Sequence, residues 1–174
     1  VTAYQTLHIF FNHLTTFNQQ CNHEPIFNLP KLGQILSTLS ILTILVYSSI
    51  KVYKLKETDL AFGLFVVAGL IVSPASLDYH YTIILLSIFV LLKWSLNKDA
   101  AFTWAVLIVS VLLIAAYIPY TSVKVKGGWL SLFAYPKLYG AIGLWSIFLF
   151  ASGKHHAAKE QNISDSSLLI EEKK

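Results

Sequence analysis

The chain has 174 residues, 55% of them hydrophobic and only 13% charged, with a mean hydropathy of +0.61. Ordinary soluble domains carry roughly a quarter charged residues, so this composition argues against a soluble fold. The net charge of +4 does not point to nucleic acid, because the lysines stand singly or in pairs at the ends of apolar blocks instead of on one basic face. The single cysteine, Cys21, has no partner for an intrachain disulfide and no Cys or His at structural-zinc spacing.

Val1 to Lys31 mixes aromatic and polar residues, including Asn12, Asn18, Asn22 and Asn28. It reads as an outer-face loop or interfacial segment, residues 1–31. An amphipathic helix from about Ala3 to Thr16, with Leu7, Phe10, Phe11 and Leu14 lying on a membrane, is the plain expectation for its first half. The chain holds no methionine and opens on Val-Thr-Ala-Tyr, which suggests a fragment of a longer protein.

From Leu32 the chain changes character. Leu32 to Ile50 is free of charge, and about 19 residues at 1.5 Å rise cross a hydrocarbon core of roughly 30 Å. Four more apolar blocks follow, so the sequence predicts an all-α polytopic bundle of about five transmembrane helices, over 32–50, 60–77, 79–93, 100–120 and 135–152. Pro136 falls in the first turn of the last, where its missing N–H costs nothing. A polar tail, 154–174, completes the chain. Lysine-rich short loops stay cytoplasmic. With the Lys51-Lys54-Lys56 loop inside, alternation puts Lys93, Lys98 and the tail inside as well. The same alternation gathers residues 1–31, the Ser73-to-Tyr81 turn and the Lys124-to-Trp129 loop on the outer face, with the Lys124 and Lys126 pair as the one contrary signal.

The segment richest in chemistry is Ser73-Pro74-Ala75-Ser76-Leu77-Asp78-Tyr79-His80-Tyr81. Pro74 disfavours helical geometry at Ser73 and removes a donor, so the second span should break here. Asp78 and His80 would then stand at the membrane surface, where a carboxylate and an imidazole can hold a phosphate-linked divalent cation, orient a sugar hydroxyl or move a proton. The bland alternative is that they mark the water edge of the third span. Gln5, Thr6, His13 and Asn22 supply amides, a hydroxyl and an imidazole on the same face, as recognition of a polyhydroxylated ligand requires. Lys124 and Lys126 could pair with a lipid phosphate or serve only as interface anchors. No phosphate-binding glycine loop, nucleophile elbow, zinc-protease helix or paired-cysteine site is present.

Two of these stretches carry a family resemblance. Ser73-Pro74-Ala75-Ser76-Leu77-Asp78-Tyr79-His80 is similar to the Ser-Pro-x-Ser-Trp-x-His-His turn of glycosyltransferase family 87, the polyprenyl-phosphate-mannose-dependent, mannosyltransferase-like membrane proteins of the GT-C superfamily. Tyr4-Gln5-Thr6-Leu7 resembles that family's Asn-Gln-Ser-Leu segment. The sequence departs from the pattern at Leu77, Tyr79 and Tyr4, and has no arginine around Phe11 to His13. The resemblance covers nearly the whole chain as the C-terminal part of such an enzyme. It implies hexosyl or mannosyl transfer from a polyprenyl-phosphate sugar to a lipid or glycan acceptor, on the outer face of a bacterial plasma membrane. It places the principal carboxylate in a first outer loop upstream of this chain, which alone would then be inactive. Gln5, Thr6, His13, Asn22, Asp78 and His80 would shape the donor or acceptor pocket, and Lys124 and Lys126 would meet the lipid phosphate. The expected partners are membrane lipids, the sugar donor and its acceptor, with no nucleic acid, and a divalent cation is the one cofactor considered. The competing readings are a secondary transporter or flippase, which would need ionisable residues in mid-span, and a non-catalytic membrane scaffold.

Overall fold

A computed structural model describes residues 5–18, 24–55, 57–74, 78–96, 101–116 and 128–151, together with Asn22 and Ser76. The described residues are helical apart from turns and one isolated bridge between Asn18 and Asn22. Among the described residues six α-helices run in the order α1 (Leu7–Thr15), α2 (Pro30–Lys54), α3 (Thr58–Val72), α4 (Ile84–Ser95), α5 (Ala101–Ala115) and α6 (Pro136–Ala151). A 3-10 turn, Asp78–Ile83, leads into α4, and a second, Gly128–Ala134, leads into α6.

Helix ends follow local chemistry. The Thr6 hydroxyl caps α1 by accepting from the Ile9 N–H at 3.4 Å. Its carboxyl end is closed by the returning chain, where Phe27 and Leu29 N–H donate to the carbonyls of Leu14 and Thr15, groups that a helix terminus leaves without internal partners. Pro30 opens α2. α3 stops at Val72, five residues short of the predicted span end, because Pro74 drives Ser73 to ψ 137°. The predicted span 79–93 begins as a 3-10 turn and becomes α-helical only at Ile84. α5 covers the first part of the predicted span 100–120, and 117–120 lie outside the described residues.

Hydrogen bonds from Gln5 to Ser76, Tyr81 and Ala134, and between Glu24 and Gly128, bring the described residues of the amino-terminal segment, the turn before α4 and residues 128–135 together at one end. At the other end Lys93 Nζ meets Asp59 Oδ2 at 3.1 Å, tying the close of α4 to the start of α3. Both side chains are exposed, so this bridge contributes little. α3 and α6 form the centre. Leu60, Leu64, Val67 and Ile71 on the former, and Leu138, Ala141, Leu144 and Phe148 on the latter, are all nearly or completely buried at helical spacing.

α2 and α5 are arranged in the reverse sense to a soluble protein. α2 buries Gly33, Ser37, Ile44 and Ser48, while Leu32, Ile35, Leu39, Leu42, Val46 and Ile50 point outward. α5 buries Thr103, Leu107 and Ser110 and exposes Phe102, Ile108, Val109 and Leu112. Two of the buried serine hydroxyls make cross-helix hydrogen bonds. Ser48 Oγ accepts from the Trp145 indole of α6 at 2.8 Å, and Ser87 Oγ donates to the Gly63 carbonyl at 3.1 Å. Among the described residues α2 alone is a single helix long and apolar enough to cross a bilayer. The second 3-10 turn and α6, bent by 57° at Tyr135, pass the same test as a pair.

Candidate functional site

The site is assembled from three segments distant in sequence, and Gln5 joins them. Its backbone N–H donates to the Ser76 carbonyl at 3.1 Å, its carbonyl accepts from the Tyr81 phenol at 2.5 Å, and its amide Nε2 donates to the Ala134 carbonyl at 3.0 Å. Gln5 is completely buried, and Thr6, Ser76, Tyr81 and Ala134 are nearly or completely so. The amino-terminal segment, the proline turn and the second 3-10 turn are therefore held against one another by direct hydrogen bonds. Buried polar groups are mostly hydrogen-bonded, and Gln5, through its amide Nε2 and its backbone, supplies partners to two turns at once.

A second knot lies about two helical turns further along α1. His13 Nδ1 and the Tyr135 phenol are 2.9 Å apart, and the phenol also lies 3.5 Å from the Ile9 carbonyl. The Tyr135 ring is boxed edge-on by Phe10 and by the His13 imidazole, with centroids at 5.2 and 5.8 Å. Asn22 is 2% exposed. Its Nδ2 donates to the carbonyls of His13 and Thr16, the latter at 3.1 Å, and its backbone pairs reciprocally with Asn18. Asn22 thus closes the carboxyl end of α1. On another side of α1, Asn12 Nδ2 reaches His8 Nε2 at 2.9 Å and His8 Nδ1 lies 3.3 Å from the Ser37 hydroxyl, pinning α1 to α2. Glu24 ties the loop to the second 3-10 turn, its carbonyl accepting from the Gly128 N–H at 2.6 Å.

Of the residues picked out in the sequence, Gln5, Thr6, His13 and Asn22 come together in this buried network. His80 stands apart from them, exposed on the first 3-10 turn. It borders a cleft of about 410 Å³ whose wall includes Ser73, Ser76 and Thr82. Ser76 is the link, since its carbonyl holds Gln5 while its hydroxyl donates to the Leu70 carbonyl at 3.2 Å. Asp78 opens the same turn, but its side chain, like Lys124, Lys126 and the tail, lies outside the described residues. Among the described residues no group of three or more His, Cys, Asp or Glu side chains is placed to hold a metal ion.

Sequence reasoning passed over Tyr81 and Tyr135. The signal for Tyr135 was Pro136, which marks a helix start and so a junction where a large side chain is fixed. No protein-family model, curated protein or solved structure matches the chain.

Proposed function

We propose that this chain is the carboxyl-terminal part of a polytopic membrane glycosyltransferase that moves a hexose from a polyprenyl-phosphate donor to a lipid or glycan acceptor at the outer face of a bacterial plasma membrane. The observation that carries the membrane part is the reversed arrangement of α2 and α5. Large apolar side chains coat their outer surfaces while serine, threonine and glycine face inward, the pattern expected where the solvent is hydrocarbon and helices associate through close packing. On this reading α2 to α6 all cross or enter the bilayer, the short ones being completed by their flanking turns.

The transferase part rests on the resemblance of two motifs, and its support is their meeting. Gln5-Thr6 and the Ser73-to-His80 turn, 68 positions apart from Gln5 to Ser73, are hydrogen-bonded at one end of the bundle. Substrate carried on a lipid would reach that end from the bilayer edge. The resemblance assigns activation of the acceptor hydroxyl to a carboxylate of the longer protein, and leaves to these residues the positioning of the sugar. A transporter is disfavoured, because the polar residues buried along the described helices α2 to α5 are serines and threonines and lack the ionisable groups that transport sites use.

Two measurements test the proposal. In a Cys21→Ser background, cysteines placed at Glu24 and Thr82 should react with an impermeant thiol reagent from the outside of intact cells, and one at Glu57 should not. Labelling of Glu24 and Thr82 positions from opposite sides would defeat the proposal. In the full-length protein, Asp78→Asn and His80→Gln should each lower kcat/KM for transfer from a polyprenyl-phosphate hexose by at least about tenfold, equivalent to about 1.4 kcal/mol of transition-state stabilisation. Unchanged transfer in both would reject a sugar-handling role for this turn.

A further inference from the structure

We propose that the cleft between the carboxyl end of α3 and the first 3-10 turn binds the hydroxyl groups of an uncharged hexose, and that Gly69 is the residue that keeps it open. The inference deepens the transferase reading and rests on it for the identity of the sugar's carrier.

Glycine inside a helix is unfavourable relative to alanine, so each one invites a reason. At Gly63 a Cβ would lie 2.5 Å from the Phe148 ring, and at Gly140 it would lie 2.6 Å from the Ser110 carbonyl oxygen. Those two are required by neighbouring helices. Gly69 is different, for a Cβ there meets no protein atom within 4 Å. What its missing side chain leaves free is the cleft itself, about 410 Å³, bordered by Gly69, Leu70, Ser73, Ser76, His80 and Thr82. That volume lies in the range of roughly 300–1,000 Å³ usual for small-ligand sites.

The chemistry of the wall selects the ligand class. The carboxyl end of a helix carries partial negative charge on carbonyls that lack internal partners. In α3 the Gly69 and Leu70 carbonyls accept from the Ser73 N–H and the Ser76 hydroxyl, and the last turn as a whole carries the negative end of the helix dipole. Such an end favours O–H donors and disfavours phosphate. Among the described lining residues there is no lysine or arginine to offset that. Ser73, Thr82 and the exposed His80 add groups that both donate and accept, as a sugar ring edge requires. The position fits as well. Ser76, in the cleft wall, is the residue that holds Gln5, so a sugar in the cleft would sit against the network that joins the three segments.

The test uses the full-length protein in detergent micelles with methyl α-mannoside, methyl α-glucoside and inorganic phosphate as separate probes, followed by saturation-transfer NMR. At least one hexoside should bind, Gly69→Leu should weaken it by tenfold or more, and phosphate should show no Gly69-dependent signal. Absence of hexoside binding, hexoside affinity unchanged in Gly69→Leu, or phosphate binding lost in that variant would each overturn the proposal. Gly69→Cys in a Cys21→Ser background guards against misfolding of the leucine variant. Its thiol should react with a maleimide and be protected by the bound hexoside, and reaction without protection counts against the cleft. Competition separates the two sources of sugar. Displacement by polyprenyl-phosphate hexose but not by bare polyprenyl phosphate assigns the cleft to the donor, and no displacement by either assigns it to the acceptor. Hexoside binding that depends on Gly69 in a protein without transfer activity would defeat the transferase reading alone, and active transfer with Gly69-independent binding would defeat the cleft alone.

Discussion

Replacing Tyr135 by alanine is expected to destabilise the fold by about 3–5 kcal/mol, the range for a buried aromatic cut back to a methyl group, and, under the proposed transferase function, to abolish sugar transfer in the full-length protein. Tyr135 has no exposed surface. It occupies the bend between the second 3-10 turn and α6, where the following Pro136 restricts its backbone, and it is the only residue in the described structure that both stacks against Phe10 and bonds His13. Its removal would open a void between α1 and α6 and at the same time remove the phenol's bond to the His13 imidazole. Tyr135→Phe separates these effects. The ring and its contacts with Phe10 persist while the phenol's bond to His13 is lost, and about 1–3 kcal/mol is the expected cost of withdrawing one partner from a buried polar group. Thermal unfolding in detergent, followed by far-ultraviolet circular dichroism, reads the stability, and the transfer assay reads the site. If His13 serves only packing, Tyr135→Phe will lose stability with kcat and KM unchanged. A drop in kcat at full helical content identifies the phenol as a positioning group for the imidazole. Equal unfolding midpoints for wild type and Tyr135→Ala would refute the account of this junction.

That Tyr135 escaped the sequence reading while Gln5 did not is instructive about what a sequence carries. Charge-free blocks fixed where helices run, because desolvating a charge in an apolar layer is costly whatever the tertiary context. Pro74 and Pro136 marked breaks through a purely local effect on backbone geometry. The helix ends were less legible. α3 closes at Val72 and not at Leu77, since the proline acts on the residue before it while apolar composition continues past the break. The 3-10 geometry of Asp78–Ile83 had no compositional sign at all. Which polar side chains would meet was legible only where a motif was already recognisable, at Gln5-Thr6 and around Ser76. The partners they found, Tyr81 and the Ala134 carbonyl, come from contacts 76 and 129 positions away, set by the packing of whole helices. The inward direction of serine on α2 was likewise hidden in an apolar run. Ser37 and Ser48 differ from Ser40 and Ser49 only in which neighbour stands opposite them, His8 for Ser37 and Trp145 for Ser48.

The same substitution at two glycines should have opposite signs, and this gives the sharpest test of the packing. Gly140→Ala is expected to lower stability by about 1–3 kcal/mol, the usual penalty for overpacking, whereas Gly69→Ala should raise it by about 0.5–1 kcal/mol through the lower backbone entropy of alanine in the unfolded chain. Both residues are in helices and gain the same propensity, so the difference is owed entirely to surroundings. At Gly140 the new Cβ would come 2.6 Å from the Ser110 carbonyl oxygen and equally close to Ile114 Cγ1. The carbonyl belongs to the backbone of α5 and cannot rotate away as a side chain could. α5 and α6 would have to part, and with them the neighbouring contact between Gly143 and the Ser110 hydroxyl. On the proposed membrane reading there is no hydrophobic term to restore the association, because lipid tails are as apolar as leucine, so close packing and interhelical hydrogen bonds would carry it. The loss should therefore appear as a lower unfolding midpoint and as faster hydrogen exchange confined to α5 and α6. A stabilised Gly140→Ala would mean that helix propensity outweighs the seam and that α5 and α6 are not in the contact described.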